Sequence, residues 1–167
     1  MPEHDAIDRI LDQWRRELPE LDASPMAVIG RIYRLDALLS RSTNAVLGRQ
    51  GLTGAEFDVL ASLRRAGEPF RLTPTELGRS QMVDSGTVTH RLDRLEQRRL
   101  VRRHRAKGDR RSIDVQLTAR GRAVVEAALV EHVENERSIL EGLSTRDREQ
   151  LIRLLRRFLL AVDTPSA

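Results

Sequence analysis

TPTELGRSQMVDSGTVTHRLDRLEQRRLVRRHRAKGDRRSIDVQLT, residues 73–118, carries the fold in its punctuation. Thr73-Pro74-Thr75-Glu76 combines a helix N-cap, a proline at the first helical position, where its missing N–H costs nothing, and an acid that reaches back to the cap. A short helix over 74–80 is expected. After Gln81-Met82-Val83 a second helix starts near Asp84 or Ser85 and runs to about Arg99, with Val88, Leu92 and Leu95 on its inner face. Leu100 to Arg105 and Ser112 to Leu117 then alternate with period two, placing Ile113, Val115 and Leu117 on one face. The polar segment 106–111 joins them, which reads as a β-hairpin.

Helices flank this stretch on both sides. Ile7, Ile10, Leu11, Trp14 and Leu18 recur at three- and four-residue steps over 5–18, ahead of Pro19. Ser24 and Pro25 read as N-cap and first position of a helix to about Gly48, with Val28, Ile29, Ile32, Leu35, Leu38 and Leu39 as its buried stripe. Thr53 and Glu56 form a capping box for a helix to about Ala66, which Gly67-Glu68-Pro69 ends. Thr118 caps a long helix to about Leu140. Past Gly142, Ser144 and Asp147 open a last one through Leu151, Leu154, Leu155 and Phe158. Only Thr164 to Ala167 looks frayed.

The expected fold class is therefore mainly α with a small β-hairpin wing (α+β). A winged helix-turn-helix over 53–118 is flanked by N-terminal helices, 1–52, and C-terminal helices, 119–167. The apolar stripes of those terminal helices exceed what one small winged domain can cover, which points to a two-fold homodimer, intramolecular packing being the alternative.

Charge gives the partner. Between Arg91 and Arg111 stand ten Arg or Lys and three acids, a local excess of +7 in a chain of formal charge +4. A solvated charged face is the bland reading; a polyanion footprint is the sharper one. The second helix of the pair would enter a major groove, which demands small or hydrogen-bonding residues on its outer face. Ser85, Gly86, Thr87, Thr89, His90 and Arg94 meet that demand. Arg94 can engage guanine, Thr89 and His90 reach base edges or phosphates, and the helix N-terminus donates N–H groups to phosphate. Lys107, Asp109, Arg110 and Arg111 at the hairpin tip suit a narrow minor groove, or form an ordinary charged turn. An operator would be pseudo-palindromic, its half-sites about one DNA turn apart.

Gly108-Asp109-Arg110-Arg111, followed by Leu117-Thr118 and Gly121, resembles the wing signature of the MarR family of bacterial regulators. The resemblance spans nearly the whole chain. It implies dimers built by the terminal helices, Asp109 orienting the wing, Arg110 inserting into the minor groove, and repression as the commoner mode.

Asp58, Arg91 and Arg103 fall where the apolar pattern predicts burial, and buried charges need partners. An Asp58–Arg91 ion pair is the simplest answer, and it can be purely structural. With Trp14 these positions resemble the urate-responsive branch of the MarR family, whose additional N-terminal helix brings a tryptophan to a pocket holding an aspartate and two arginines. That likeness implies a planar anion, urate or another small aromatic or carboxylate acid, stacking on Trp14 and competing with Asp58 for Arg91. Trp14 as plain core is the other reading, and a regulator without any effector remains open beside it.

Other classes lack their signals. With no cysteine, disulfides and thiolate metal sites are excluded. No glycine-rich phosphate loop, nucleophile elbow or metal-spaced histidine cluster appears, so no enzyme, metal or cofactor is expected. His132 and Glu136 lie four apart, which suits a surface pair. An RNA-binding winged-helix module would want stacking aromatics, and aromatic content is 3%. No signal peptide or membrane span is legible, so a cytoplasmic protein, associated with the bacterial nucleoid when bound to DNA, is expected.

Overall fold

The computed structural model describes residues 4–81, 85–105 and 113–163. Chain order is α1 (Ala6–Glu17), α2 (Met26–Arg49), α3 (Gly54–Arg65), β1 (Arg71–Leu72), α4 (Pro74–Gln81), α5 (Ser85–Gln97), β2 (Val101–Arg105), β3 (Ile113–Leu117), α6 (Ala119–Ile139) and α7 (Thr145–Val162). The expected winged helix-turn-helix is present, mainly helical with a small antiparallel sheet.

Caps start most of these helices where the sequence marks them. Thr53 and Glu56 form a reciprocal box ahead of α3, Thr118 accepts from the Gly121 N–H at α6, and Ser144 accepts from Asp147 at α7. Asp5 and Asp8 do the same for α1. The exception is α2. Ser24 does not cap it: Pro25 holds the cap position without a side-chain bond, and the Ser24 hydroxyl and N–H both turn back to Asp22.

The sheet has three strands, ordered β1-β3-β2, rather than the hairpin alone. Arg71 and Leu72 pair antiparallel with Gln116 and Val115, and the Leu117 N–H donates to the Phe70 carbonyl at 3.0 Å. Two residues are too short to show alternation, so the strand was hidden in the run-up to the α4 cap. In the hairpin Val101 faces Leu117 and Arg103 faces Val115. Val115 and Leu117 are buried as their alternation predicts, whereas Ile113 at the open end is 46% exposed.

One core lies between α3, α4, α5, the sheet and the first half of α6. Leu60, Leu63, Leu77, Leu92, Leu95 and Val115 are buried to within 1%, and each fully buried aliphatic contributes about 1.5–3 kcal/mol. Beyond this unit and the Leu47 end of α2, burial is sparse, confined among the described residues to Leu11, Ala23 and Val46. The α2 stripe expected to be buried is largely open, with Val28, Leu35, Leu38 and Leu39 all at least 40% exposed. Helix α7 buries no residue although it carries Leu151, Leu154, Leu155 and Phe158. Among the described residues nothing covers these faces.

Helix α1 is strapped to α2 by charge. Arg31 donates to Asp5 at 2.8 Å and to Asp8 at 2.6 Å. The Arg31 hydrogen bond, with the Asp5 N–H, holds the Asp8 carboxyl down to about 2. A lowered carboxyl contributes stability above its unfolded value of 3.8, which is lost as pH falls towards 2. Amide exchange in 6–17 should therefore rise between those pH values ahead of exchange in α3, and Arg31→Ala should produce the same loosening at neutral pH. Equal protection of α1 in both proteins would refute the strap.

At the start of α6 the backbone is crowded. A Cβ on Gly121 would sit 2.0 Å from the Leu100 carbonyl oxygen, so any side chain forces α6 off the sheet. Gly121→Ala should cost upwards of about 1–3 kcal/mol in urea unfolding; a neutral result would show that α6 docks elsewhere.

Candidate nucleic-acid interface

Helix α5 is set by its two sides. Leu92 and Leu95 face the core, while Thr89, His90 and Arg94 are exposed. Ser85, Gly86 and Thr87 form its first turn, ahead of which the short α4 packs against α3 and α5. The helix ends by a left-handed residue: Arg99 has φ 58°, its N–H bonds the Glu96 carbonyl and the Leu100 N–H bonds the Leu95 carbonyl. Lys107, Asp109, Arg110 and Arg111, the wing-tip candidates, lie outside the described residues.

Charges flank α5 on both sides. On one, Glu56 at the start of α3 is 2% exposed and meets Arg94 Nε at 3.3 Å and Arg98 Nη1 at 3.5 Å. On the other, Arg103 from β2 reaches Asp93 at 2.6 Å, Glu96 at 3.0 Å and the Thr89 carbonyl at 3.3 Å. The Arg103 N–H also donates to Glu96. These pairs fix the angle between strand β2 and the helix.

The four effector candidates are not assembled as one set. Asp58 is exposed on α3 rather than buried, because the carboxylate turned into the interior is its neighbour Glu56, two residues earlier on the helix. No described ion pair joins Asp58 to Arg91, although Arg91 attracts it electrostatically, as do Arg65 and His132. Arg103 is partly buried, but its partners are Asp93 and Glu96. Trp14 is 36% exposed and lines a cleft with Ile10, Gln13, Arg16 and Glu17, all from α1. Arg91 lines a separate cleft of ≈ 340 Å³ with Thr53, Ala55, Glu56, His90 and Arg94. His132 is not a plain surface residue: it packs on Phe57 at 4.9 Å while meeting Glu136 at 3.2 Å.

Sequence reasoning found Glu56 as a cap but missed its burial and its arginines. The i, i+4 spacing of Arg94 and Arg98 was the available signal, since it puts two guanidiniums on one face. Asp93 and Glu96 were counted only as charges.

The comparisons agree with this geometry. A family model described as MarR family matches residues 50–112. The HTH-type transcriptional regulator PecS of Dickeya dadantii is 43% identical over 151 residues, covering 90% of this chain and 91% of that protein. A mutant MarR of Escherichia coli complexed with operator DNA superposes with a TM-score of 0.72 at 28% identity, over 87% of this chain and 97% of that one. BpsR of Bordetella bronchiseptica superposes with a TM-score of 0.70 at 27% identity, over 78% and 91%. The chain belongs to the MarR family of winged-helix, DNA-binding transcriptional regulators.

Although Asp58 lies on the surface, the protein around it desolvates the carboxyl and pushes it above its ordinary value of 3.8, against the attraction of Arg91, Arg65 and His132. A raised carboxyl binds its proton more tightly when folded, so its charged form opposes folding once pH passes the unfolded value. Asp58→Asn should accordingly melt higher than the parent at neutral pH, with the difference vanishing below about 3.8. A variant that melts lower at neutral pH would mean that Asp58 is held by a direct ion pair.

Proposed function

We propose that the protein is a homodimeric repressor that reads a pseudo-palindromic operator with α5 in the major groove and Arg110 in the minor groove, and that a small planar anion releases it. One observation carries the dimer: α7 is an amphipathic helix with no buried residue, and the open apolar faces of α1 and α2 accompany it. A second copy of the same chain covers such faces in a closed, two-fold way. The exposed Thr89, His90 and Arg94 support α5 as the reader. Lys107, Arg110 and Arg111 would supply the wing's contacts, with Asp109 orienting Arg110, and Ser85, Gly86 and Thr87 would meet phosphate at the helix start. The protein works in the bacterial cytoplasm, at the nucleoid when bound.

Release by an anion is supported by Arg91, which projects from α5 itself, and by Asp58, whose charge the anion would replace beside it. In BpsR, DNA binding is regulated by 6-hydroxynicotinic acid, a small aromatic acid. Urate and aromatic carboxylates are the first ligands to try. Trp14 is the candidate stacking surface; Arg103 is the least available member of the set, being already neutralised by Asp93 and Glu96. A few kcal/mol of differential affinity suffices to empty an operator.

Sedimentation at micromolar concentration should return twice the 19.0 kDa chain mass; a monomer overturns the dimer. Gel shifts on the gene's own upstream region should weaken with salt, each neutralised phosphate adding about 0.9 to the slope. Binding that is flat across salt, or that RNA competes away better than duplex DNA, overturns the DNA reading. Calorimetry should give saturable heat with one planar acid and none with Arg91→Ala or Trp14→Ala. No heat with any acid leaves a regulator without a small-molecule effector.

A further inference from the structure

Among the described residues three capping boxes start helices, and one of their acids differs from the others. Asp8 and Glu76 close the boxes of α1 and α4 without being buried, and both still cap. Glu56 closes the box of α3 at 2% exposure. Capping therefore does not require its burial, which is costly for a carboxylate. Its Oε2 accepts from the Thr53 N–H at 2.9 Å and the Thr53 hydroxyl at 3.1 Å, and faces Arg98 at 3.5 Å. Among the described residues its Oε1 accepts no hydrogen bond, and it has Arg94 Nε at 3.3 Å. The Arg94 side chain remains 53% exposed, on the open side of α5 with His90 one turn before it.

We propose that Glu56 is a positioning residue that aims Arg94 at DNA, so that one buried carboxylate sets the start of α3 and the direction of a reading arginine on α5. The inference rests on α5 being the DNA-reading helix. A guanidinium whose Nε side is drawn to a carboxylate at 3.3 Å keeps its two terminal nitrogens for a second acceptor, the paired edge that matches guanine or a phosphate. An arginine held in advance gives up less rotamer freedom on contact than one swinging in water. Reading groups work when their own neighbours lock them, and here the carboxylate half of the lock is out of solvent, where salt screens it less than a fully exposed pair. Arg98 adds a second cation to the same carboxylate, which keeps Glu56 neutralised when Arg94 turns part of its charge towards DNA.

The test uses the full-length protein and the duplex it enriches from a random-sequence DNA library. Affinity for that duplex is compared with affinity for an unselected duplex of equal length. Glu56→Gln keeps an acceptor for the Thr53 cap and removes the charge that holds Arg94. The expected result is a roughly ten-fold fall in the ratio of selected to unselected affinity, with binding to the unselected duplex unchanged or tighter because no cation is lost. In an Arg94→Ala background, Glu56→Gln should change the ratio no further. A ratio that survives Glu56→Gln, or a loss that adds in full to that of Arg94→Ala, overturns the proposal and leaves Glu56 a cap. Where Glu56→Gln unfolds, Glu56→Asp replaces it: Asp8 shows in α1 that the shorter acid still closes a capping box, but one methylene less draws the carboxylate back from Arg94, so the same fall in ratio supports the proposal and an unchanged ratio overturns it. If the parent enriches no sequence, the DNA reading fails first and this role falls with it; enrichment with an unmoved ratio condemns the role of Glu56 alone.

Discussion

The carbonyl of Leu100 is the point at which three parts of the chain are tied. It accepts from the Thr118 N–H and hydroxyl at 3.1 Å each, while the Leu100 N–H closes the end of α5 on Leu95. Gly121, one turn into α6, presses against the same oxygen and has no room for a side chain. The end of α5, the residue just before β2 and the start of α6 thus meet at the two peptide groups of Leu100. Thr118 is decisive because its hydroxyl serves on both sides, donating to Arg99 and Leu100 and accepting from the Gly121 N–H. A threonine there caps a helix; a threonine and a glycine three residues apart join that helix to α5.

The joint matters because α6 leads away from it. Its 21 residues span about 30 Å, and only Gly121, Val125 and Ala128, in its first half, are buried. The rest runs towards α7 and the uncovered apolar faces. A change in how those faces are covered would be carried to α5 through a rigid helix and a single tight contact, with little compliance between them. The position of two α5 helices in a pair of chains is then a property of the terminal helices as much as of the winged unit. This is why an apolar stripe far from any base can bear on which operators are bound.

Much of the fold was legible because helix starts are local chemistry. Thr53, Thr118 and Ser144 each announce a helix by one side chain and the N–H groups it satisfies, and the structure begins those helices there. Strand β1 was not legible, since pairing with β3 is a property of Gln116 and Val115 as much as of Arg71 and Leu72. The same limit applies to charges. Asp58 and Glu56 lie two apart on one helix, and sequence pattern alone favoured the one inside the apolar run. A turn of about 200° separates them, and the face that goes inward is decided by what α5 brings against it, Arg94 and Arg98. Arg103 was read correctly as a charge in need of partners, but those partners sit on α5, and the register that brings them close exists only once β2 folds back.

The ion pairs also revise what the basic stretch can do. Counted along the chain, residues 91–111 look like a polyanion footprint of +7. In the folded protein much of that charge is already committed. Arg94 and Arg98 share Glu56, and Arg103 is held by Asp93 and Glu96. Arg99, Arg102 and Arg105 are exposed and have no carboxylate partner among the described residues. Holding and attracting are thus divided between neighbours in sequence: the arginines facing α3 and the acids of α5 brace α5, and on the proposed reading those turned outward around β2 would meet phosphate. On that reading, attraction to any duplex would scale with the second group and discrimination between sequences with the first, because an arginine fixed by protein cannot adapt to a wrong base. A local charge count therefore predicts that a DNA-binding surface exists, and the carboxylates folded against it set how many of its cations are left for a duplex.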